Sequence, residues 1–372
     1  KEWDTSVLGT FASPWNCIFS AELLASDPEY PGNKVMGSGP FVFEEFVAGS
    51  VWKASRFDNY FRDGQPYLDA LESYTMEGPA VVNAIQAGQI HTDFRGVSPQ
   101  SRVRLEEAMG DAVTSYVGPS LTHFLVTFNS EVAPFDDPRV RRALNLAIDR
   151  WNGIAGLSAT TEMKYVGGPL LPFGAYSASV EEMQEWPGYS FDIEAARAEA
   201  RSLLAEAGQE NLSFSLTVRN GPPVLVDFGV FLIDQWRQIG VTVENNVVET
   251  PPWAAAISDG SFEAIVDIFS ALREEPTEQF TKYVSYDVSA RSAGRFTDRD
   301  LDALFNAQAV EADPAARMAL LRQFETRLLE QSYSLPVVWL ERDVVMSSAL
   351  KGWTFSPSNF LYLDQSGTWL DE

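Results

Sequence analysis

The sequence predicts an α/β protein with two domains, and three observations indicate this. The chain has 372 residues, and roughly 150 residues per domain is the usual proportion. Hydrophobic residues make up 45% of the chain and aromatic residues 12%, as in folded globular proteins rather than disordered ones. Between residues 192 and 243 the sequence alternates helix, strand, helix and strand patterns, the order typical of an α/β layer.

The alternating segment has clear boundaries. Asp192 can cap a helix that Gly208 ends in a left-handed conformation. Residues 212–218 alternate apolar and polar side chains, which predicts a half-buried strand. Residues 224–239 repeat apolar side chains at helical spacing, and a second strand begins at Val241.

The chain is strongly acidic. Its 52 acidic and 27 basic residues give a formal net charge of −25, and it contains no run of basic residues. The negative electrostatic potential of such a chain disfavours nucleic acid and anionic membranes as partners. We interpret the acidity as a solvated surface, with the steering of a cationic ligand as the alternative.

No segment of the sequence predicts targeting or membrane insertion. No stretch approaches the roughly 20 apolar residues of a membrane span. Residues 1–4 do not begin a signal peptide, so we expect any targeting segment to lie outside this sequence.

The sequence offers little for catalysis or metal binding. Cys17 is the only cysteine, and the only histidines, His91 and His123, have no ligand partner at i+3 or i+4. No G-x-S-x-G elbow occurs, and adjacent acidic residues point in different directions on a helix or strand. We therefore expect no metal, no cofactor and no catalytic residue, and we interpret the chain as a binding protein rather than an enzyme.

The most informative stretch is Pro134–Arg150, which reads P-F-D-D-P-R-V-R-R-A-L-N-L-A-I-D-R. Asp137 can cap a helix whose first position suits Pro138. One face of this predicted helix is apolar, and its polar side chains point elsewhere. The apolar residues are Val140, Leu144, Ala147 and Ile148, and the polar ones are Arg141, Arg142, Asn145 and Asp149.

Together with the strand that ends in Phe128-Asn129, this segment resembles the signature helix of the family 5 extracellular solute-binding proteins. These are the peptide- and nickel-type receptors of ABC importers. Other segments resemble the same family in the same order, from about Phe11 to Trp353. They are G-S-G-P-F at 37–41, R-F-D-N-Y-F-R-D-G-Q-P-Y-L-D at 56–69, A-I-Q-A-G-Q-I at 84–90 and L-P-V at 335–337.

The resemblance implies the type II periplasmic-binding-protein fold, in which two α/β lobes with mixed sheets are joined by a hinge of two crossings. We expect lobe 1 to comprise residues 1–127 and 351–372, and lobe 2 to comprise residues 128–350. Family members carry a sizeable N-terminal portion before the G-S-G-P-F turn. Lobe 1 is therefore expected to lack its N-terminal part, either because the chain is a fragment or because the protein is naturally short.

The resemblance also implies ligand-binding residues in the segment F-S-A-L-R-E-E-P that begins at Phe269. Its family counterpart is W-x-x-D-x-x-[DE]-P, in which the aromatic residue and the first acid face the ligand. Phe269 keeps the aromatic residue, whereas Leu272 stands where peptide-binding members place the aspartate that holds the peptide's α-ammonium. A leucine cannot accept that charge-assisted hydrogen bond, although Glu274 could substitute. Arg273 offers a fork for a carboxylate or pairs with Glu274 or Glu275.

Two further aromatic residues are candidates for the site. Trp253 aligns near a pocket-lining tryptophan of the family, with core packing as the alternative. Tyr165 opens a Gly- and Pro-rich loop, residues 165–176, which we expect either to lie over the ligand cleft or to cap the lobe.

The implied function is capture of a small solute in the inter-lobe cleft and its delivery to an ABC transporter permease, without chemistry. A peptide or peptide-like compound is the family default, and an amine-free or anionic solute ranks next because of Leu272. We expect a monomer in the periplasm or outside the cell, with lipid anchoring left open. The alternatives are a carboxylate-dependent hydrolase and a transport-inactive sensory or scaffold module of the same fold.

Overall fold

The computed structural model describes residues 11, 16–33, 35–76, 78–361 and 363–371. The chain folds into two compact units. The first includes residues 119–341, and the second includes the described parts of residues 9–118 and 342–372. Within the described residues the chain passes from one unit to the other twice, at Gly118–Pro119 and at Glu341–Arg342.

Helices and strands are numbered in chain order. The helices are α1 (Ala21–Ser26), α2 (Tyr30–Asn33), α3 (Gly78–Gln86), α4 (Pro99–Met109), α5 (Pro138–Leu146), α6 (Arg150–Leu157), α7 (Val180–Gln184), α8 (Ile193–Glu206), α9 (Pro223–Arg237), α10 (Thr250–Asp259), α11 (Pro276–Phe280), α12 (Arg299–Val310) and α13 (Pro314–Gln331). The strands are β1 (Phe41–Val47), β2 (Val51–Arg56), β3 (Ala70–Tyr74), β4 (Val113–Phe128), β5 (Met163–Tyr165), β6 (Ser213–Asn220), β7 (Thr242–Glu249), β8 (Ala264–Ser270), β9 (Ser334–Ser347), β10 (Leu350–Lys351) and β11 (Trp369–Leu370). A short 3₁₀ turn, Gly110–Ala112, follows α4.

Both passages between the units lie inside long strands and earlier in the chain than predicted. β4 and β9 each contribute residues to both units. β4 is only partly buried up to Pro119 and is fully buried from Ser120 onward. The lobe boundaries expected from the sequence, 127/128 and 350/351, lie further along the same strand in the first case and just after β9 in the second. Apolar periodicity does not register a change of packing partner inside one continuous strand.

The first unit is organised around a mixed six-stranded sheet with the order β5-β9-β4-β8-β6-β7. β4 and β8 are antiparallel, with His123 opposite Phe269, whereas β6 is parallel to both β7 and β8. The strand predicted at 212–218 and the helix predicted at 224–239 are confirmed as β6 and α9. The mixed sheet and its helices confirm the predicted α/β class.

An apolar core packs against this sheet and joins it to the helices. Phe135 stacks on Phe128, with 5.2 Å between ring centroids, and meets Phe214 edge to face at the same distance. Trp236 on α9 is fully buried and donates its indole N–H to Leu144 O at 2.9 Å. The hydrogen bond fixes α9 to α5 while the indole ring fills the core.

The second unit carries a three-stranded antiparallel sheet, β1-β2-β3, and the short antiparallel pair β10-β11. α3, α4 and β9 supply its apolar cluster. The buried members are Val81, Val82, Ile85, Leu105 and Val345. Arg102 on α4 forms a 2.7 Å ion pair with buried Asp343 on β9, so a charge pair supplements this small core.

The signature segment forms two short helices instead of one. Asp137 caps α5 and Pro138 takes its first helical position, as predicted. α5 ends at Leu146, and Asp149 caps α6 by accepting a backbone N–H of its first turn. The four predicted core residues are all buried: Val140, Leu144, Ala147 and Ile148.

Two polar side chains that were predicted to face away from the core are buried. Arg141 lies over the Tyr333 ring, 4.7 Å from its centroid, and donates to Phe135 O at 2.6 Å. Asn145 is fully buried and its amide nitrogen donates to Pro187 O at 3.1 Å. The prediction was wrong for these two residues because backbone carbonyls satisfy their donors, which makes burial tolerable.

Arg150 is also buried, and it binds oxygens from three separate elements. Its guanidinium donates to Gly188 O at 2.7 Å, to Pro336 O at 3.2 Å and to Asn145 Oδ1 at 2.8 Å. The same group lies 4.4 Å from the centroid of the Tyr189 ring. One side chain therefore ties α5, the turn that precedes α8, and strand β9 together.

Gly188 is required by this arrangement. Its φ is +83°, in the region that favours glycine. A Cβ at this position would lie 2.5 Å from Asn145 Oδ1 and 2.7 Å from Arg150 Nη1. A side chain would therefore displace the guanidinium from its oxygens.

Replacing Arg150 by methionine should lower the free energy of unfolding by about 3 kcal/mol or more, because several buried oxygens lose their donors at about 1–3 kcal/mol each. Urea unfolding followed by tryptophan fluorescence measures the change. Arg142→Met is the matched control. Arg142 pairs with Glu199 at the surface, and such pairs contribute about 1 kcal/mol at most. Equal losses in the two variants would contradict the role assigned to Arg150.

His123, on β4, is fully buried. Its Nε2 lies 2.6 Å from the Tyr283 hydroxyl, and its ring packs on Trp339 and meets Phe269 edge to face, with centroid distances of 4.3 and 5.7 Å. Burial first, and the positive charge of Lys282 second, lower the pKa of His123 to about 3. His123 is therefore a neutral core side chain at physiological pH.

This burial makes folding sensitive to acid. The unfolded chain takes up a proton near the ordinary histidine pKa of 6.5, whereas the folded protein does not until about pH 3, so stability is lost as the pH falls between these values. His123→Gln keeps a partner for Tyr283 and removes this proton uptake. Between pH 7 and pH 4.5 its unfolding free energy should therefore fall by about 2–3 kcal/mol less than that of the wild type.

Guanidinium chloride unfolding at the two pH values measures this difference. His91→Gln, at an exposed histidine, should follow the wild type. A pH dependence of His123→Gln identical to that of the wild type would show that His123 does not resist protonation in the folded state.

Candidate functional site

Phe269 lies near the end of β8, whose sequence A-I-V-D-I-F-S is apolar apart from Asp267 and the final serine. Its side chain is 5% exposed and belongs to the second apolar cluster of the first unit, to which Tyr165 is peripheral. The guanidinium of Arg291 lies over the Phe269 ring, 5.6 Å from the centroid. Phe269 thus packs in an apolar cluster, with the Arg291 guanidinium over its ring as a cation–π contact.

The turn after β8 leads directly into α11. The Ala271 N–H donates to Leu121 O at 2.9 Å, which fixes the turn to β4. The Leu272 N–H donates to Glu278 Oε1 at 2.8 Å, which fixes the turn to α11. The Leu272 side chain is 8% exposed, so an apolar group occupies the position where peptide-binding relatives were expected to place an acid.

Arg273 forms an ion pair with a residue that the sequence did not suggest. Its Nε lies 3.3 Å from Glu278 Oε2, and both side chains are largely buried. Arg291 approaches the same carboxylate, with its Nη1 at 4.0 Å from Glu278 Oε1. Glu275, one of the predicted partners of Arg273, is bound by Arg317 and also caps α11.

Glu274 connects this turn to the loop at 165–176. It is exposed, and its carboxylate accepts the Ala175 N–H. A Cβ on Gly174 would lie 2.7 Å from the Glu274 carboxyl carbon. Glycine at position 174 therefore lets the loop backbone approach the carboxylate.

The loop at 165–176 is anchored at both ends. The Tyr165 hydroxyl donates to Glu341 Oε2 at 2.9 Å, and its ring meets Phe173 edge to face at 5.4 Å. Arg322 on α13 donates to Tyr176 O at 3.0 Å at the other end. Phe173, in the middle, has a φ of +65° and is exposed, so the loop holds an aromatic ring in solvent between two fixed ends.

Trp253 lies on α10 in an apolar cluster separate from that of Phe269. The buried members of this cluster are Ala256, Phe262, Ile265 and Ala293. Its indole N–H donates to Val266 O at 3.0 Å, and Arg219 lies over its ring at 5.2 Å. These contacts fit the alternative of core packing, and the structure does not group Trp253 with Phe269.

Sequence reasoning missed a buried ion pair in the same region. Lys282 Nζ lies 2.5 Å from Asp267 Oδ2, and both side chains are buried. A single acid within the apolar run of β8 was the available signal, because a buried carboxylate requires a partner. The residues around Lys282 in the sequence do not indicate that it is the partner of Asp267.

The described parts of the chain contain no group of three or more His, Cys, Asp or Glu side chains that could hold a metal ion, and no helix long and apolar enough to cross a bilayer. An open groove of about 730 Å³ lies between α12 and α13, and none of the predicted binding residues lines it.

The sequence matches a known family. The profile of the bacterial extracellular solute-binding proteins, family 5 Middle, matches residues 7–289. Heme-binding protein A of Haemophilus influenzae is 24% identical over 382 residues, which cover 96% of this chain and 65% of that protein. The oligopeptide-binding protein AppA of Bacillus subtilis is 27% identical over 250 residues, which cover 62% of this chain and 42% of that protein. The chain thus spans less than two thirds of the length of either relative.

The fold matches known structures as well. The structure of the PBP AgaA in complex with agropinic acid, from A. tumefaciens R10, is similar with a TM-score of 0.81 and 21% identity, covering 99% of this chain and 74% of AgaA. This similarity confirms the predicted type II periplasmic-binding-protein fold. The family profile spans most of the chain, including the signature helix and the segment that begins at Phe269. The chain therefore belongs to the bacterial extracellular solute-binding proteins of family 5.

Proposed function

We propose that this protein is the solute-binding receptor of an ABC importer, which captures a small solute and delivers it unaltered to a membrane permease. The observation that carries the proposal is the family match over residues 7–289. A peptide or peptide-like compound is the default ligand, and the Bacillus subtilis relative is named an oligopeptide-binding protein. The other two proteins compared are named for heme and for agropinic acid, so the ligand of this chain depends on its own residues.

The contacts of the first unit support the proposed binding residues. Phe269 supplies an aromatic wall, since an aromatic ring buries a large area with few rotatable bonds. Tyr165 and its loop supply a second aromatic wall. Leu272 lines the site without binding an ammonium, and Arg273 and Glu274 shape the turn through the contacts described above. Trp253 has the weakest support, because its contacts belong to another cluster.

The same proposal implies an oligomeric state, a location and a partner for the protein. It would act as a monomer in the periplasm or outside the cell, either free or lipid-anchored, with an ABC permease as its partner. A carboxylate-dependent hydrolase and a sensory or scaffold module remain as alternatives, and no contact described above favours either. Product formation from peptides or oligosaccharides would support the hydrolase.

Native mass spectrometry of the purified protein tests the proposal. We expect a non-covalently bound small solute that is released with its mass unchanged. Isothermal titration with a peptide library should then give saturable binding without turnover. Failure to bind any solute in both experiments would contradict the proposed receptor function.

Phe269→Ala should weaken ligand binding by about 1–3 kcal/mol, because it removes a buried aromatic contact. Since Phe269 is also part of the core, Phe269→Leu is measured beside it, and it should keep the fold while losing the ring. The matched control is Phe191→Ala, because Phe191 is exposed and packs on Trp151. Titration calorimetry gives the dissociation constants, and an unchanged value for both Phe269 variants would remove this residue from the site.

A further inference from the structure

Arg322 on α13 fixes the end of the loop that follows β5. Its guanidinium donates to Tyr176 O at 3.0 Å and to Ser177 O at 2.7 Å. The same group binds two carboxylates, with Glu182 Oε1 at 3.0 Å and Glu325 Oε2 at 2.7 Å. The loop end is therefore attached to α13 through one guanidinium that two acidic residues share.

The two carboxylates differ in their access to water. The Glu182 side chain is 48% exposed, and its Oε2 accepts the Ser179 N–H at 2.7 Å. This hydrogen bond lowers the pKa of Glu182 most, with a further decrease from Arg322, so Glu182 is charged at neutral pH. The Glu325 side chain is only 1% exposed. A charge on Glu325 is therefore stabilised by the guanidinium but not by bulk water.

The backbone of the loop packs against the Glu325 carboxylate. A Cβ on Gly168 would lie 3.4 Å from Glu325 Oε1 and 2.9 Å from the Trp186 ring. Gly168 O accepts the indole N–H of Trp339 at 2.9 Å, which fixes this part of the loop to β9. Movement of the loop away from α13 would remove this cover and admit water to the carboxylate.

The titratable and charged groups around Glu325 come from the elements packed about it. Arg322 lies one turn earlier on α13, and Glu182 belongs to α7. Tyr189, in the turn before α8, donates its hydroxyl to a loop carbonyl and is neutral, because burial is the main cause that raises its pKa to about 12. Arg150 on α6 lies over the Tyr189 ring. The loop itself contains no acidic or basic residue.

These surroundings raise the pKa of Glu325 to about 7. Burial is the main cause, the Arg322 guanidinium opposes it, and the negative charge of Glu182 adds a smaller increase. When the loop opens and water reaches Glu325, its pKa returns toward the ordinary value of 4.5. The closed loop thus binds the proton more tightly than the open loop. By linkage, protonation favours the closed state and ionisation favours the open state.

We propose that the buried carboxyl group of Glu325 is a pH-dependent switch for the loop that follows β5. The protonated group holds the loop closed, and the ionised group increases the population of the open loop, in which water reaches it. The loop is one wall of the ligand site in the function proposed above, but the switch does not depend on that function.

Hydrogen exchange followed by NMR, without added solute, tests the switch. The Leu171 N–H donates to Gln279 Oε1 at 3.0 Å, and the Ser177 N–H donates to Gly174 O at 3.2 Å, so both report opening of the loop. Their protection factors in the wild type should fall about tenfold between pH 6 and pH 8, as follows from a pKa of about 7 in the closed state and 4.5 in the open state. The Leu232 N–H, inside α9, is the internal reference for global unfolding.

Glu325→Gln keeps the size of the side chain and removes its charge. Its loop amides should keep at pH 8 the protection that they have at pH 6. Glu325→Met, which fills the same space with an apolar group, should likewise show no pH dependence. Glu330→Gln is the matched control, because Glu330 is exposed on the same helix, and its loop amides should lose about tenfold in protection as in the wild type.

Three results would overturn the switch. The first is protection of the wild-type loop amides that does not change between pH 6 and pH 8. The second is a decrease that persists in both Glu325 variants. The third is an equal decrease at Leu232, which would show that the whole unit unfolds instead of the loop opening. Because no solute is present, a failure of the receptor function would leave the exchange result unchanged.

Discussion

The buried guanidinium of Arg150 is the interaction on which the first unit depends. It binds oxygens of Asn145, Gly188 and Pro336, which belong to segments far apart in the chain. No carboxylate is among these three oxygen partners, so the cation is stabilised by carbonyl dipoles and by the Tyr189 ring. A lysine could not reproduce this arrangement, because a single ammonium cannot reach oxygens in three directions at fixed angles. The contact to Pro336 fixes β9, which is the neighbour of β4 in the sheet. β4 in turn pairs with β8, the strand that contains Phe269.

Pairing of charged side chains also explains how the segments of the candidate site are held together. In the first unit, Arg322 anchors the loop after β5, Lys282 neutralises Asp267, and Glu278 receives both a backbone N–H and Arg273. Each of these groups gains by pairing because burial makes an unpaired charge costly. Arg291 differs, since it remains half exposed while it touches an aromatic ring. Arg291 is therefore less enclosed than the paired charges that hold this part of the fold.

Much of the fold could be predicted because it depends on neighbours along the chain. Asp137 and Pro138 began a helix as expected, and the alternating pattern at 212–218 formed β6. Predictions about the environment of polar side chains were less successful. Asn145 was expected outside the core, but it is buried because the carbonyl of Pro187 accepts a hydrogen bond from its amide. The passage between the units inside β4 likewise has no signal along the chain, since β4 continues unbroken while its burial changes.

By itself the sequence determined the family, the α/β class, the helix caps and the candidate segment at Phe269, since these are written in residue types a few positions apart. Tertiary structure alone decided which charges meet: Glu278 with Arg291, Asp267 with Lys282, and Arg150 with the carbonyl of Pro336. The physical reason is that an ion pair or a buried hydrogen bond forms where distant segments are brought within a few ångströms and water is excluded. Periodicity along the chain reports which face is buried, but it carries no information about the partner across that face.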